Sequence, residues 1–208
     1  MGNAGLKTAP LVSAQGREAD LGTGQYVTGV ISVLERLPFS NIDQAAASIF
    51  QAYERDCALY LFGNGGSAAL ASHAACDLGK GTSKPGKRPF RVVSLTDNVS
   101  LITAWANDTC YDNVFAAQLT PFVKPGDIAF AISGSGNSGN VLAGLHAARE
   151  LGAINIGLTG FAGGKMKALC DSCIVVPSKN MQQIEDSHVC VMHAIYVAFH
   201  RYISGRDT

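Results

Sequence analysis

Residues 59–67 read Leu-Tyr-Leu-Phe-Gly-Asn-Gly-Gly-Ser, an apolar run that stops abruptly at glycines. The run predicts a buried strand, because it is short, apolar and bounded by turn residues. The glycines and the alanine-rich segment that follows them predict a tight turn and the start of a helix. Backbone N–H groups at a helix N-terminus bind anions, so this stretch predicts a phosphate site. The residues of this stretch predicted to contact the ligand are Asn64, Gly65, Gly66 and Ser67.

A second passage, residues 127–139, repeats this plan as Asp-Ile-Ala-Phe-Ala-Ile-Ser-Gly-Ser-Gly-Asn-Ser-Gly. The hydroxyls of Ser133, Ser135 and Ser138, with the backbone at Gly134, could satisfy the oxygens of one phosphate. Residues 134–139 also fit the G-x-G-x-x-G pattern of dinucleotide sites. That pattern needs an acidic residue about 20 positions later, where this chain has Leu158-Thr159-Gly160. The passage therefore favours a phosphomonoester over a dinucleotide.

Strands and helices are predicted to alternate from Cys57 onward. The predicted strands are 58–62, 90–95, 127–132, 153–158 and 173–176. The predicted helices between and after them are 66–79, 98–107, 112–119, 138–151, 163–170 and 183–203. This alternation predicts an α/β fold with a five-stranded parallel sheet sandwiched between helices, in three layers. Ligands in such sheets bind at the carboxyl ends of the strands, where both glycine turns fall.

Two helices are predicted before the first strand. Apolar residues at helical spacing run from Val27 to Leu37, Pro38 ends that helix, and Ser40 is a plausible N-cap for the next one. Their apolar faces suggest packing against a second subunit. Residues 1–20 are expected to be a frayed lead-in, and residues 21–208 a single domain.

Composition excludes several classes of protein. The chain of 208 residues has 16 Lys and Arg against 16 Asp and Glu, so no basic field is available to hold a nucleic-acid backbone. No apolar stretch is long enough to predict a membrane helix. Residues 1–21 lack the apolar core of a secretory signal, so we expect a cytoplasmic protein.

Histidines and carboxylates occur near the first turn and near the C-terminus. His73 and Asp77 are four apart and share a helix face. The last predicted helix carries Glu185, Asp186, His188, His193 and His200. Two histidines and two carboxylates could act as acid and base or bind one divalent metal. Helical spacing does not determine which of these C-terminal residues act together. Asp186, His193 and His200 form the straighter stripe, whereas Glu185 lies eight residues before His193.

Taken together, the motifs resemble those of the SIS (sugar isomerase) domain family, and most closely its sedoheptulose 7-phosphate isomerases. The resemblance covers about residues 25–203 and rests on the following segments: 63–67 with His73, Thr96-Asp97, 133–138, Leu158-Thr159-Gly160, Gly163-Gly164-Lys165-Met166, and Ile184-Glu185-Asp186 with His188 and His193.

The resemblance implies conversion of D-sedoheptulose 7-phosphate to D-glycero-D-manno-heptose 7-phosphate, through an enediol, in a homotetramer with pockets between subunits. It implies zinc bound at His73, Asp77, Glu185 and His193, with Asp77 as base and His193 as acid. It also implies that Asn64 and Asp97 contact sugar hydroxyls. Asp77 and Glu185 stand where the family has Glu and Gln, and Gly81 stands where it has an arginine.

Two other functions remain open at this point. Some SIS domains are not enzymes and regulate other proteins, including a relative that binds the replication initiator DnaA. The substitutions at positions 77 and 185 are also compatible with isomerisation of another phosphosugar.

Overall fold

Five strands form one parallel sheet in the computed structural model, which describes residues 22–205. They are β1 (Leu59–Gly63), β2 (Val92–Ser94), β3 (Ile128–Ser133), β4 (Ile154–Thr159) and β5 (Ser172–Val175), in the order β2-β1-β3-β4-β5. This confirms the predicted fold class. The predicted lead-in, residues 1–20, lies outside the described residues.

The strand order places a topological switch point between β1 and β3. The chain leaves β1 toward β2 at one edge and then returns across the sheet to β3. The connections from β1 and β3 therefore run in opposite directions and leave a crevice at their carboxyl ends, where α/β proteins bind ligands. Both glycine turns of the sequence follow these two strands.

Helices cover both faces of the sheet. They are α1 (Thr23–Leu34), α2 (Phe39–Glu54), α3 (Gly66–Cys76), α4 (Val99–Asp108), α5 (Ala116–Leu119), α6 (Gly139–Glu150) and α7 (Met181–Ser204). Helices α2, α3 and α7 pack on the face that carries Leu59, Leu61 and Phe130, and α6 packs on the face of Tyr60 and Phe62. Strand β1 is buried throughout, which explains its continuous apolar sequence.

Helix α3 does not end in a simple cap. It passes directly into a π-helical turn, Asp77–Gly81, within the segment predicted as helix 66–79. Single π-helical turns of this kind occur often at functional sites. Asp77 is the first residue of this turn.

Three local predictions are corrected by the structure. Helix α2 begins at Phe39 rather than after Ser40, because the Pro38 carbonyl accepts hydrogen bonds from the backbone of Asn41 and Ile42. The predicted helix 163–170 is a short 3-10 helix, Lys165–Leu169, since Gly163 and Gly164 have φ of 90° and 56°. The predicted helix 112–119 is split into a 3-10 turn at 111–113 and α5.

The edge strand β2 is shorter than predicted, because it pairs with β1 over three residues only. Within residues 22–205, none of the helices has the length and apolarity needed to cross a bilayer.

Candidate active site

The turn after β1 depends on close backbone packing. A Cβ on Gly63 would lie 2.5 Å from the Ile132 carbonyl oxygen and 2.8 Å from the Ser67 Cβ. Gly65 has φ of 54°, which side-chain-bearing residues seldom adopt. Glycine is therefore required for the turn to bring α3 against the end of β3.

The turn after β3 is held by its own serines. Ser133 Oγ accepts from the Gly136 amide at 3.2 Å and lies 3.2 Å from Ser138 Oγ. The loop at Gly163 packs behind it, since a Cβ on Gly136 would lie 2.2 Å from the Gly163 carbonyl oxygen. The serine hydroxyls are thus fixed on a turn that cannot shift without moving the loop.

The two turns enclose one small cavity, which we call the serine pocket. Its volume is about 150 Å³. Its lining contains seven of the predicted ligand residues: Asn64, Ser67, Ser133, Gly134, Ser135, Ser138 and Glu185. Ile132 and Met181 complete the lining, and Met181 is the first residue of α7. The structure therefore brings together residues that the sequence separates by more than a hundred positions.

A second cavity of about 230 Å³, the helix groove, runs between α3 and α7. Ser67 and Glu185 line both the serine pocket and the helix groove, so the two cavities adjoin. Gly66 is also part of the groove, and a Cβ there would lie 3.4 Å from the Glu185 carboxylate oxygens.

His73, Asp77 and His193 form the histidine cluster. His73 Nε2 lies 3.3 Å from Asp77 Oδ2 and 3.3 Å from His193 Nε2, and His193 Nε2 lies 3.8 Å from Asp77 Oδ2. The side chains are 51%, 27% and 47% exposed for His73, Asp77 and His193. The helical spacing of His73 and Asp77, with α7 crossing α3, creates this arrangement.

The histidine cluster has the donor set of a divalent-metal site. Its three ligand atoms lie within 4.8 Å of one another. Bonds of about 2.0–2.2 Å at tetrahedral angles place ligand atoms about 3.3 Å apart, close to the observed separations. Two imidazoles and a carboxylate are also the ligands found in catalytic zinc sites. The residues present therefore fit such an ion.

Glu185, the fourth predicted ligand, is outside this cluster. Among the described residues, the group that could hold a metal contains only His73, Asp77 and His193. The Glu185 carboxylate instead faces the start of α3, next to Ser67.

Asp186 belongs to the alternative stripe with His193 and His200, and the structure gives it another partner. The Tyr26 hydroxyl donates a hydrogen bond to Asp186 Oδ2, which ties α1 to α7. This bond raises the pKa of Tyr26 to about 12. His200 lies two turns beyond His193, with its ring 5.9 Å from that of Tyr196. Within residues 22–205, the group that could hold a metal includes neither Asp186 nor His200.

Asp97, a predicted sugar contact, follows β2 and is exposed. The Ser72 hydroxyl donates a hydrogen bond to its Oδ1, and Ser72 Oγ also lies 3.0 Å from Thr96 Oγ1. Ser72 lies on α3, so this bond holds Asp97 against that helix.

His188 is buried beneath the helix groove, which it also lines. Burial lowers its pKa to about 4, although a hydrogen bond with the Thr159 backbone opposes this shift. Its Nε2 makes no hydrogen bond within the described residues. His188 is therefore a neutral imidazole at neutral pH.

Sequence reasoning missed two residues that contact Asn64. Asn140 is 1% exposed and shares two hydrogen bonds with Asn64, and the Tyr111 hydroxyl donates a third. An asparagine two positions after Ser138, inside the first turn of α6, was the available signal. Nothing in the sequence around Tyr111 indicated this contact.

Comparisons with known proteins agree on one family. A model of the SIS domain matches residues 25–160. The phosphoheptose isomerase of Rhodospirillum rubrum is 47% identical over 133 residues, which cover 64% of this chain and 70% of that protein. The phosphoheptose isomerase of Aneurinibacillus thermoaerophilus is 40% identical over 156 residues, which cover 74% and 77%.

Solved structures show the same similarity. The phosphoheptose isomerase GmhA from Neisseria gonorrhoeae superposes with a TM-score of 0.79 at 31% identity, covering 85% of this chain and 95% of that one. A phosphoheptose isomerase from Francisella tularensis superposes with a TM-score of 0.77 at 28% identity, covering the same two shares.

Proposed function

This chain belongs to the SIS domain family, beside the phosphoheptose isomerases, and we propose that it interconverts the ketose and aldose forms of a phosphorylated sugar. The substrate we propose is D-sedoheptulose 7-phosphate, which would become D-glycero-D-manno-heptose 7-phosphate. One observation carries the proposal: the serine pocket adjoins the groove between α3 and α7, the two helices that bear the histidine cluster.

In this proposal the serine pocket holds the phosphate. Hydroxyls of Ser67, Ser133, Ser135 and Ser138 face a cavity at the start of α6, whose N-terminal dipole favours an anion. Neutral donors bind a phosphate without a counter-charge, because the helix N-terminus supplies a partial positive charge. The sugar chain would then extend along the helix groove, with Asp97 as a contact for its hydroxyls.

The chemical step we propose is proton transfer between neighbouring carbons. The Asp77 carboxylate takes the proton from the carbon beside the carbonyl, and the electron pair of that C–H bond forms the C=C bond of an enediol. The carbonyl oxygen takes a proton from His193 at the same time. The neighbouring hydroxyl then returns a proton to His193, and the proton on Asp77 goes to the former carbonyl carbon.

His73, Asp77 and His193 would hold a divalent metal, most simply Zn²⁺. A bound ion of this kind would polarise the carbonyl oxygen as a Lewis acid. Glu185 as a fourth ligand stays a prediction, and its place between the two cavities also suits a contact with the substrate.

Self-association is also part of the proposal. Val27 and Ile31 on α1 and Val197 on α7 are 56%, 53% and 43% exposed. Apolar faces of this kind support burial against another copy of the chain, as in the predicted tetramer. Cytoplasmic location stays a prediction.

The direct test is an isomerase assay on the purified protein. We expect conversion of sedoheptulose 7-phosphate in preference to five- and six-carbon phosphosugars. The Asp77 side chain is 27% exposed, so the proton it carries can exchange with solvent, and we expect deuterium from D₂O at the former carbonyl carbon. We expect chelation to lower the rate and added Zn²⁺ to restore it. Binding of phosphosugars with no turnover, in metal-loaded protein, would contradict the proposal and favour a regulatory SIS domain.

A further inference from the structure

A pair of side-chain amides joins the two turns of the serine pocket. Asn64 Nδ2 donates to Asn140 Oδ1 at 2.8 Å, and Asn140 Nδ2 donates to Asn64 Oδ1 at 2.8 Å. Asn64 follows β1, and Asn140 is the second residue of α6. The pair bridges the crevice at the switch point, and Asn140 is buried.

The orientation of both amides is fixed by the backbone. The Val141 N–H lies 2.9 Å from Asn140 Oδ1. A backbone N–H can only donate, so the Asn140 atom that faces it must be the oxygen. The Asn140 NH₂ group then faces Asn64, and Asn64 must present its oxygen in return.

The oxygen of Asn64 is consequently fully used. Asn64 Oδ1 accepts from Asn140 Nδ2 and also from the Tyr111 hydroxyl, at 3.0 Å. A carbonyl oxygen has two lone pairs, so the group that Asn64 still has available is one N–H. Asn64 lines the serine pocket.

We propose that Asn140, assisted by Tyr111, is a positioning residue that makes Asn64 a hydrogen-bond donor to an anionic oxygen in the serine pocket. The sequence and the resemblance give Asn64 a sugar-hydroxyl contact, and neither assigns a role to Asn140 or Tyr111. The inference rests on the proposed function only in that the pocket holds a phosphate.

Asn140 has a second effect on the same pocket. The Val141 amide lies in the first turn of α6, where the N-cap residue usually accepts a hydrogen bond. Ser138 is the N-cap and makes no such bond, because Asn140 accepts from Val141 instead. The Ser138 hydroxyl stays beside Ser133 in the pocket, where it can contact a ligand.

The test is Asn140→Leu, which keeps a similar volume and removes both amide hydrogen bonds. We expect KM for the sugar phosphate and Kd for inorganic phosphate each to rise about tenfold, with kcat within about twofold of wild type. The phosphate is unchanged by the reaction, so weaker contacts to it affect substrate and transition state alike.

Two further variants separate positioning from general destabilisation. Asn155→Leu removes another buried amide, at the start of β4, whose Nδ2 donates to the Leu145 and Leu169 carbonyl oxygens. We expect it to lower the unfolding temperature and to leave KM unchanged. Tyr111→Phe removes one bond to Asn64 from an exposed turn, so we expect an increase in KM of about threefold and a stably folded protein.

Unchanged KM and phosphate Kd in both Asn140→Leu and Tyr111→Phe would overturn the inference, as would an equal increase in KM in Asn155→Leu. If Asn140→Leu does not fold, Tyr111→Phe decides the outcome. Phosphate affinity that depends on Asn140 in a protein that isomerises no sugar would support the inference and refute the proposed function.

Discussion

The serine pocket and the histidine cluster are built in opposite ways. The pocket rests on backbone contacts at Gly63 and Gly136, on the buried Ser133 and on the amide pair of Asn64 and Asn140. The histidine cluster has three side chains that are 51%, 27% and 47% exposed. One region is packed before any ligand arrives, and the other faces solvent.

The difference matches the roles proposed for the two regions. A phosphate keeps its shape through the reaction, so a rigid site for it loses nothing and saves the cost of ordering. A group that exchanges a proton or takes up an ion must be accessible to substrate or solvent, and the side chains of the histidine cluster are accessible. We therefore expect the two regions to respond separately to substitution, and three experiments test how far they are independent.

The largest effect is expected for His193→Asn, which removes one imidazole from the cluster. We expect turnover to fall about a thousandfold, because the proposed general acid and the proposed metal ligand are lost together. The Kd for inorganic phosphate should stay within about twofold of wild type. Steady-state kinetics measures the turnover, and isothermal titration calorimetry measures the Kd for inorganic phosphate. His146→Asn, on the exposed side of α6, is the matched control and should change neither. A parallel loss of phosphate affinity would show that the regions are not separate.

An intermediate effect is expected for Gly136→Ala. Its φ of 65° and the 2.2 Å approach of the Gly163 oxygen leave no space for a methyl group. We expect the free energy of unfolding to fall by about 3 kcal/mol, measured by denaturant unfolding. Gly86→Ala is the control, since Gly86 has φ of 75° and nothing within 4 Å of its added Cβ. We expect Gly86→Ala to lower the free energy of unfolding by about 1 kcal/mol, because only the backbone conformation becomes unfavourable. Equal losses of unfolding free energy in the two variants would contradict this prediction and would mean that the loop at Gly163 moves aside easily.

The smallest effect is expected from the titration of His188 beneath the groove. Its pKa in the folded protein is about 4, below the value of 6.5 expected for the unfolded chain. The unfolded chain therefore binds the proton first, and stability decreases as the pH falls from 6.5 toward 4. We expect a loss of about 2 kcal/mol by pH 5. His188→Gln should make the unfolding free energy less dependent on pH in this range. Identical pH dependence in both proteins would assign the loss to other groups.

The sequence was sufficient to predict the sheet and the serine pocket. Apolar runs such as 59–62 and 128–132 are buried on both faces, so their pattern is local and strong. The turns that follow them are glycine-rich for steric reasons that the sequence displays directly. Parallel strands then bring the turns to one edge, and the six predicted ligand residues on these turns meet as the topology requires.

Other features depend on contacts that spacing cannot encode. The pairing of Asn64 with Asn140 joins residues 76 apart, and neither residue type alone indicates it. His73 and Asp77 were recognisable as one helix face, whereas the choice of His193 over other C-terminal groups came from the family resemblance. The sequence does not show that Glu185 and Asp186 lie outside the cluster. Their position follows from the way α7 crosses α3 and from the hydrogen bond between Tyr26 and Asp186.

The π-helical turn at Asp77–Gly81 holds one residue more than ordinary helical winding would accommodate. A one-residue change in chain length at this turn would therefore alter the helical winding, whatever the side chains are. Deleting Gly79 would restore regular winding and rotate the segment beyond it by about 100° relative to α3. The lysine-bearing loop at 80–89 would then point in a new direction, while Asp77 kept its place in the helix. A single codon gained or lost would in this way change what packs beside His200 and Ile203 near the end of α7, without altering any residue that lines the helix groove.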